Sequence, residues 1–242
     1  PSLCEQEGGF MTSVLSYTFN WDRRNDPVTP TRGFNLTLTQ DLAGLGGDVN
    51  YVRSELEGGF YRGLFPGVVA SARLSTGYIV GWGGDDIRIN DRFFKGGSSF
   101  RGFDVAGIGP REFFLITDNA GNTLQFFEGD TLGGNLYAIS SFELSFPLGL
   151  PEQFGVSAAL FADIGTLGRV DDNVRRRRVE TAVDGSQSIR YVDDADSLRA
   201  SAGLSIFWDS PFGPVQFDFA DPFAREPYDR VETFRFSQRT RF

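Results

Sequence analysis

Side-chain nucleophiles have few starting points in this sequence. The 242 residues include no histidine and one cysteine, Cys4. A Ser–His or Cys–His pair is therefore excluded. A disulfide framework and a Cys/His metal site are excluded on the same count. Gly83-Gly84-Asp85-Asp86 lacks the spacing of a phosphate-binding loop. No metal or cofactor is implied, no catalytic residue stands out, and the chain is not expected to be an enzyme. What remains is arginine and carboxylate chemistry, in which a planar guanidinium takes a carboxylate in a two-pronged bond that lysine cannot reproduce. The arginine in the most unusual setting is Arg101. It lies in 93–111, FFKGGSSFRGFDVAGIGPR, which also holds the chain's only lysine, Lys95. Gly96-Gly97, Gly102, Gly107-x-Gly109 and Pro110 rule out a strand or helix interior there. Phe93, Phe94 and Phe100 among those glycines mark a long loop that packs against something.

The elements that must position this loop show a period of two. Over 13–22, Leu15, Tyr17, Phe19 and Trp21 share one face, opposite Ser16, Thr18, Asn20 and Asp22, as in a strand. The alternation recurs over 33–41, 49–62, 68–82, 136–146, 154–167 and 198–208, and strands are also expected over 215–219 and 233–242. About nine strands result, with no helix longer than a turn. The proline-bearing turns at 24–32, 63–67, 147–153 and 209–214 are short. The connections at 82–135, 169–196 and 221–231 are long, and 43–48 is a short exception among them.

One strand face carries charge in mid-strand, at Arg53, Glu55, Arg73, Glu143, Asp163 and Arg199. The other is apolar, with Trp21, Tyr78, Trp82 and Trp208 near strand ends. Lipid outside, a polar lumen inside and aromatic girdles at the rims account for all of this, as do short turns on one rim and long loops on the other. A soluble sandwich accounts for the alternation but not for the aromatic ends. The expected fold is all-β, an antiparallel transmembrane β-barrel. No apolar run approaches the roughly 20 residues of a membrane helix, which leaves crossing by strands open. A net charge of −9 argues against a nucleic-acid partner. The opening PSLCEQEGG has neither an initiator methionine nor a signal-peptide pattern, so a mature chain or a fragment is expected. Arg175, Arg176, Arg177 and Arg178, with Asp171, Asp172, Asp193, Asp194 and Asp196, read as a solvated loop in preference to a cation or lipopolysaccharide site. Cys4 reads as an incidental loop thiol.

Gly96-Gly97-Ser98-Ser99-Phe100-Arg101-Gly102-Phe103, followed by Gly107-Ile108-Gly109-Pro110-Arg111, resembles the Arg-Gly-Phe/Tyr loop signature of the Omp85 superfamily. Those are outer-membrane barrels that insert or translocate other proteins. Phe100 stands where the family usually has Val, Ile or Leu, and keeps the position apolar. Trp21-Asp22-Arg23-Arg24-Asn25-Asp26-Pro27 with Pro30-Thr31-Arg32-Gly33 is similar to a first-half turn of these barrels. Leu160-Phe161-Ala162-Asp163-Ile164-Gly165-Thr166 is similar to the strand after the signature loop. Arg199-Ala200-Ser201-Ala202-Gly203, then Trp208-Asp209-Ser210-Pro211-Phe212-Gly213-Pro214 and Asp221-Pro222-Phe223, resembles the carboxyl end of the BamA branch.

The resemblance implies that 1–242 is the carboxyl-terminal portion of a barrel of about 16 strands, with the POTRA domains absent from it and 82–135 forming a long lumen loop. Arg101 is expected to fold into the lumen and pair with Glu143 and Asp163, which alternation places inward on adjacent strands. Phe234, Phe236 and Phe242 are expected to form a β-signal, read by strand addition. Gln238 and Arg239 stand where an apolar residue and glycine are more usual. The function implied is an assembly factor that folds and inserts β-barrel proteins into the bacterial outer membrane, without covalent chemistry or nucleotide. Its partners would be outer-membrane lipid and lipopolysaccharide, unfolded outer-membrane proteins and periplasmic lipoprotein subunits. A translocation pore, an autotransporter-assembly relative and a passive porin are the alternatives; a porin would conduct steadily, and a plugged lumen would not.

Overall fold

A computed structural model describes residues 9–118, 120, 122–181, 186–194, 196–211 and 213–238. In chain order the strands are β1 (Val14–Asp22), β2 (Arg32–Ala43), β3 (Tyr51–Phe65), β4 (Val68–Gly81), β5 (Gly102–Phe103), β6 (Arg111–Thr117), β7 (Thr123–Thr131) and β8 (Leu136–Pro147). They continue with β9 (Val156–Gly168), β10 (Arg178–Thr181), β11 (Gln187–Asp193), β12 (Arg199–Ser210), β13 (Gly213–Ala224), β14 (Val231–Glu232) and β15 (Phe234–Gln238). A single helical turn, α1, covers Asp172–Arg175. Cys4 and Phe242 lie outside the described residues.

Nine of these strands build one antiparallel sheet in the order β1-β2-β3-β4-β8-β9-β12-β13-β15. Each wall strand pairs with the next wall strand along the chain, so the wall is a simple meander. Directly paired residues share a face, and the register therefore sorts the two sides. Ala72, Phe142 and Ala162 lie in one outward row across β4, β8 and β9. Ser141 and Asp163 lie opposite each other on the inward side. Outward Phe19, Leu74, Phe142 and Leu160 are 54%, 43%, 53% and 53% exposed. A water-facing sheet would not carry an apolar face of that extent, whereas lipid requires it. Among the described residues β1 and β15 are each paired on one side only, so the barrel is not closed within them.

The turn at 23–31 shows how the short rim is made. Asn25 Oδ1 accepts from the backbone N–H of Thr31 and Arg32 at 3.0 and 2.9 Å. Asp26 Oδ1 accepts from Val28 and Thr29 at 2.7 and 3.0 Å. The backbone bonds from Thr29 and Val28 hold the Asp26 carboxyl below its ordinary pKa.

The long connections differ from their expected form. The 82–135 segment is more than a lumen loop, and 169–196 is more than a solvated one. Their outer parts form a second antiparallel sheet, in the order β10-β11-β6-β7. It is sealed by Phe113 against Phe126 and Tyr191 at 5.6 and 5.4 Å between ring centroids. The part that does enter the lumen is 83–110. There Ile87, Phe93, Phe100, Phe103 and Ile108 pack on Tyr137, Ile139 and Leu167 of the wall, forming a buried apolar core. The signature loop thus contributes Phe100, Phe103 and Ile108 to this apolar core.

Candidate functional site: the Arg101 clamp

The signature loop leaves the wall and returns to nearly the same place. A Cβ on Gly96 would fall 1.9 Å from Asp104 O and 3.1 Å from Gly107 N, so the two ends of the excursion touch. A 3-10 turn over Gly97–Ser99 starts it, with Ser99 Oγ donating to Gly96 O at 2.8 Å. Gly102 then adopts φ +90° against the wall, where a Cβ would meet Ser201 Cβ at 3.0 Å. Few L side chains adopt that φ, and the contact leaves no room for one. Phe100 and Phe103 flank the arginine, both fully buried, edge to face at 4.9 Å. β5 is anchored from the far side by two-residue pairing with β14.

Arg101 is 5% exposed. Its Nε and Nη2 donate to the two oxygens of Asp163 at 2.8 and 2.7 Å, the two-pronged arrangement. Its Nη1 donates to Glu143 Oε2 at 2.9 Å and to Ser205 Oγ at 3.3 Å. One guanidinium therefore ties β8, β9 and β12 together. The guanidinium carbon sits 3.7 Å from the centroid of the Phe161 ring, a cation–π contact from the same strand as Asp163. The backbone joins in. Arg101 N–H donates to Asp163 Oδ2 at 3.2 Å, and Ser201 Oγ donates to Arg101 O at 2.5 Å. Glu143 also takes Arg73 at 3.3 Å. Ser205 extends the network to Asp218, which in turn accepts from Gln216. A cavity of about 320 Å³ adjoins the clamp, lined in part by Glu57, Arg73, Lys95 and Ser98.

Of the six signature residues, Arg101 meets Glu143 and Asp163, while Gly96, Gly97 and Gly102 shape the loop and Phe100 and Phe103 pack against each other. Phe234 and Phe236 lie elsewhere, on the outer face of β15, 49% and 56% exposed and paired with Phe219 and Phe217. The two sites are connected through Gly97, whose missing side chain makes room for Arg235 Nη2; a Cβ there would lie 2.8 Å from it. Arg235 is held by Glu232 at 2.7 Å.

Sequence reasoning did not find the serines or the supporting pairs. Ser201 and Ser205 are inward by alternation, but serine at a lumen position is too common to signal a role. Arg199 was recognisable as an inward charge; its partner Asp229, at 2.9 Å with both side chains fully buried, sits in an aperiodic loop. Arg111 pairs with Glu128 at 2.8 Å and Arg92 with Asp171 at 3.7 Å, each a buried guanidinium meeting a more exposed carboxylate. Part of the 169–196 charge is engaged as well. Arg175 pairs with Asp194, whose carboxylate also accepts from the backbone of Arg169 and Val170. No group of side chains suited to a metal ion occurs among the described residues.

Residues 2–242 match the Omp85 superfamily domain. The chain is 30% identical over 236 residues to the outer membrane protein assembly factor BamA of Neorickettsia risticii, covering 97% of this chain and 28% of that protein. It is 28% identical over 247 residues to BamA of Neisseria meningitidis, covering 98% and 30%. A sorting and assembly machinery component 50 homolog of Xenopus tropicalis is 36% identical over 149 residues, 61% of this chain and 29% of that one. The crystal structure of BamA from Haemophilus ducreyi lacking POTRA domains 1–3 superposes with a TM-score of 0.72 at 25% identity, over 92% of this chain and 41% of that one. The chain thus spans less than a third of the curated relatives' length. With the meander wall and the clamped signature loop already in place, the match over nearly the whole chain makes this protein a member of the Omp85 superfamily, similar to BamA.

Proposed function

We propose that this chain forms part of the barrel of an outer-membrane protein assembly factor, one that folds and inserts other β-barrel proteins. The work is non-covalent. Strand pairing at an edge lowers the barrier for an incoming strand, whose backbone groups cannot enter lipid unpaired. The observation that carries this reading is the Arg101 clamp. It fixes β8, β9 and β12 to the signature loop through one guanidinium. Relatives whose names specify assembly, in bacteria and in vertebrates, support this reading over a translocation pore. The buried apolar plug supports it over a passive porin. Substrates on this reading are unfolded outer-membrane proteins; periplasmic lipoprotein subunits and lipopolysaccharide complete the set of partners.

The test uses the complete protein that contains this chain, reconstituted in liposomes and offered a urea-denatured barrel substrate. The expected result is faster appearance of the heat-resistant folded substrate than in liposomes without it. An unchanged rate, with the protein itself shown to be folded, rejects the assembly reading.

A further inference from the structure

On the outward face, close to the short-turn rim, the ladder sets three arginines near one another, none with a side-chain partner among the described residues. Arg32 on β2 and Arg62 on β3 are directly paired across the ladder, one step from the outward pair Phe34 and Phe60. Arg23 comes two residues after outward Trp21, and its backbone N–H donates to Phe34 O at 2.8 Å. All three arginines are exposed. None has a side-chain hydrogen bond or ion pair among the described residues. Arg24 is the contrast: it turns to Asp22 and pairs with it at 2.6 Å. Like charges set opposite each other in a ladder repel, so the Arg32–Arg62 pairing favours an anion held between them. Beside Arg62 lies an almost wholly apolar groove of about 500 Å³. Ala70 and Ala72 on β4 and Ala162 on β9 keep its floor low, and Phe60, Phe142 and Leu160 stand around it.

We propose that this rim is a phospholipid site, with the headgroup phosphate between Arg32 and Arg62 and one acyl chain lying along the groove. Arginine takes phosphate oxygens in two-pronged bonds, and its long stem lets the charge reach the headgroup level from a lipid-facing position. Charge and shape are arranged in the order of the ligand, a cationic end followed by an apolar channel. That order selects an anionic phospholipid over one with a choline group, whose cation the three arginines repel. The site rests on the lipid-facing reading of this face and not on assembly activity. A barrel that inserted no substrate would still hold the lipid.

The test places the complete protein in phosphatidylcholine nanodiscs containing a minor fraction of phosphatidylglycerol with a photoreactive diazirine on its acyl chain. Crosslinks are expected to concentrate on peptides carrying Ala70, Ala72 and Ala162. The double variant Arg32→Gln/Arg62→Gln is expected to lower them about tenfold, the scale of losing a charge-assisted contact. Ala72→Leu, which fills the groove and keeps the arginines, is expected to lower them as well. Heat-resistant mobility on gels establishes that each variant is folded. Even labelling around the whole belt overturns the proposal, as does labelling unchanged in the double variant. Equal labelling by a diazirine phosphatidylcholine overturns it too, because the groove then holds bulk lipid only. A protein strand found seated in the groove in place of lipid has the same consequence.

Discussion

Removing one partner of a buried ion pair leaves the other charge stranded, and at the Arg101 clamp the loss is unevenly shared. Glu143 keeps Arg73 at 3.3 Å, while Asp163, 2% exposed, keeps only a backbone N–H. Breaking a buried pair costs roughly 3–5 kcal/mol. The adjoining cavity of about 320 Å³ admits water and brings the figure toward the lower end. Arg101→Ala in the complete protein is therefore expected to lower the midpoint of its heat-resistant gel mobility and to impair its accumulation in the membrane. Arg101→Lys is expected to recover only part, since an ammonium can neither span both Asp163 oxygens nor lie flat on the Phe161 ring. Adding Asp163→Asn to Arg101→Ala removes the stranded charge, so the double variant is expected to lose clearly less than the sum of the singles. Strict additivity would show that the two side chains do not act as a pair.

At the scale of elements, the two rims of the wall are built differently. The links at 23–31, 66–67 and 148–155 are short turns, whereas β10, β11, β6 and β7 form a separate sheet beyond the opposite rim. Outer-membrane barrels keep short turns at the periplasm and long loops outside. In intact cells a membrane-impermeant maleimide is expected to label Glu180→Cys, exposed on β10, and not Leu150→Cys, exposed in a short turn, until the outer membrane is permeabilised. The reverse pattern would invert the topology. Asp194 is unsuitable for this test because its side chain is 3% exposed and holds Arg175. The wall strands were legible in the sequence because lipid on one side and lumen on the other impose a strict period of two, visible in Phe142 and Leu144 against Ser141 and Glu143. The outer sheet was not. Beyond the rim no lipid enforces alternation, so Phe113, Phe114, Leu115 and Ile116 run apolar on both faces of β6, and the glycines before them suggested a loop. The Asp118 carboxylate, which accepts from Ala120 and Asn122, is the turn signal that marked a hairpin there. Glu143 and Asp163 were legible as inward carboxylates on strands of clear period. Ser201, Ser205 and Asp229 were not, because neither serine on a lumen face nor aspartate in a loop departs from the ordinary.

For the whole molecule, the lumen contents decide between a channel and a plugged wall. The segment 83–110 enters the lumen and buries Phe93, Phe100, Phe103 and Ile108 against Tyr137, Ile139 and Leu167. These apolar side chains fill the lumen side of the wall, and the clamp holds the loop against it. The complete barrel is therefore expected to conduct little in a planar bilayer, and unsteadily. The excursion over 97–106 can be removed with little strain, because Gly96 and Gly107 already touch: a Cβ on Gly96 would lie 3.1 Å from Gly107 N. Loops with adjoining ends are compact units on a scaffold. Deleting 97–106 removes Phe100, Phe103 and Arg101 together, takes away the contacts that hold Ile108 in place, and leaves the wall strands and the outer sheet intact. Steady conductance well above that of the undeleted protein is the expected outcome, with heat-resistant mobility retained at a lower midpoint because the clamp is gone. A deleted barrel that stays folded and still conducts no more than the parent would place the barrier in the outer sheet of β10, β11, β6 and β7, and the signature loop would then brace the wall without closing it.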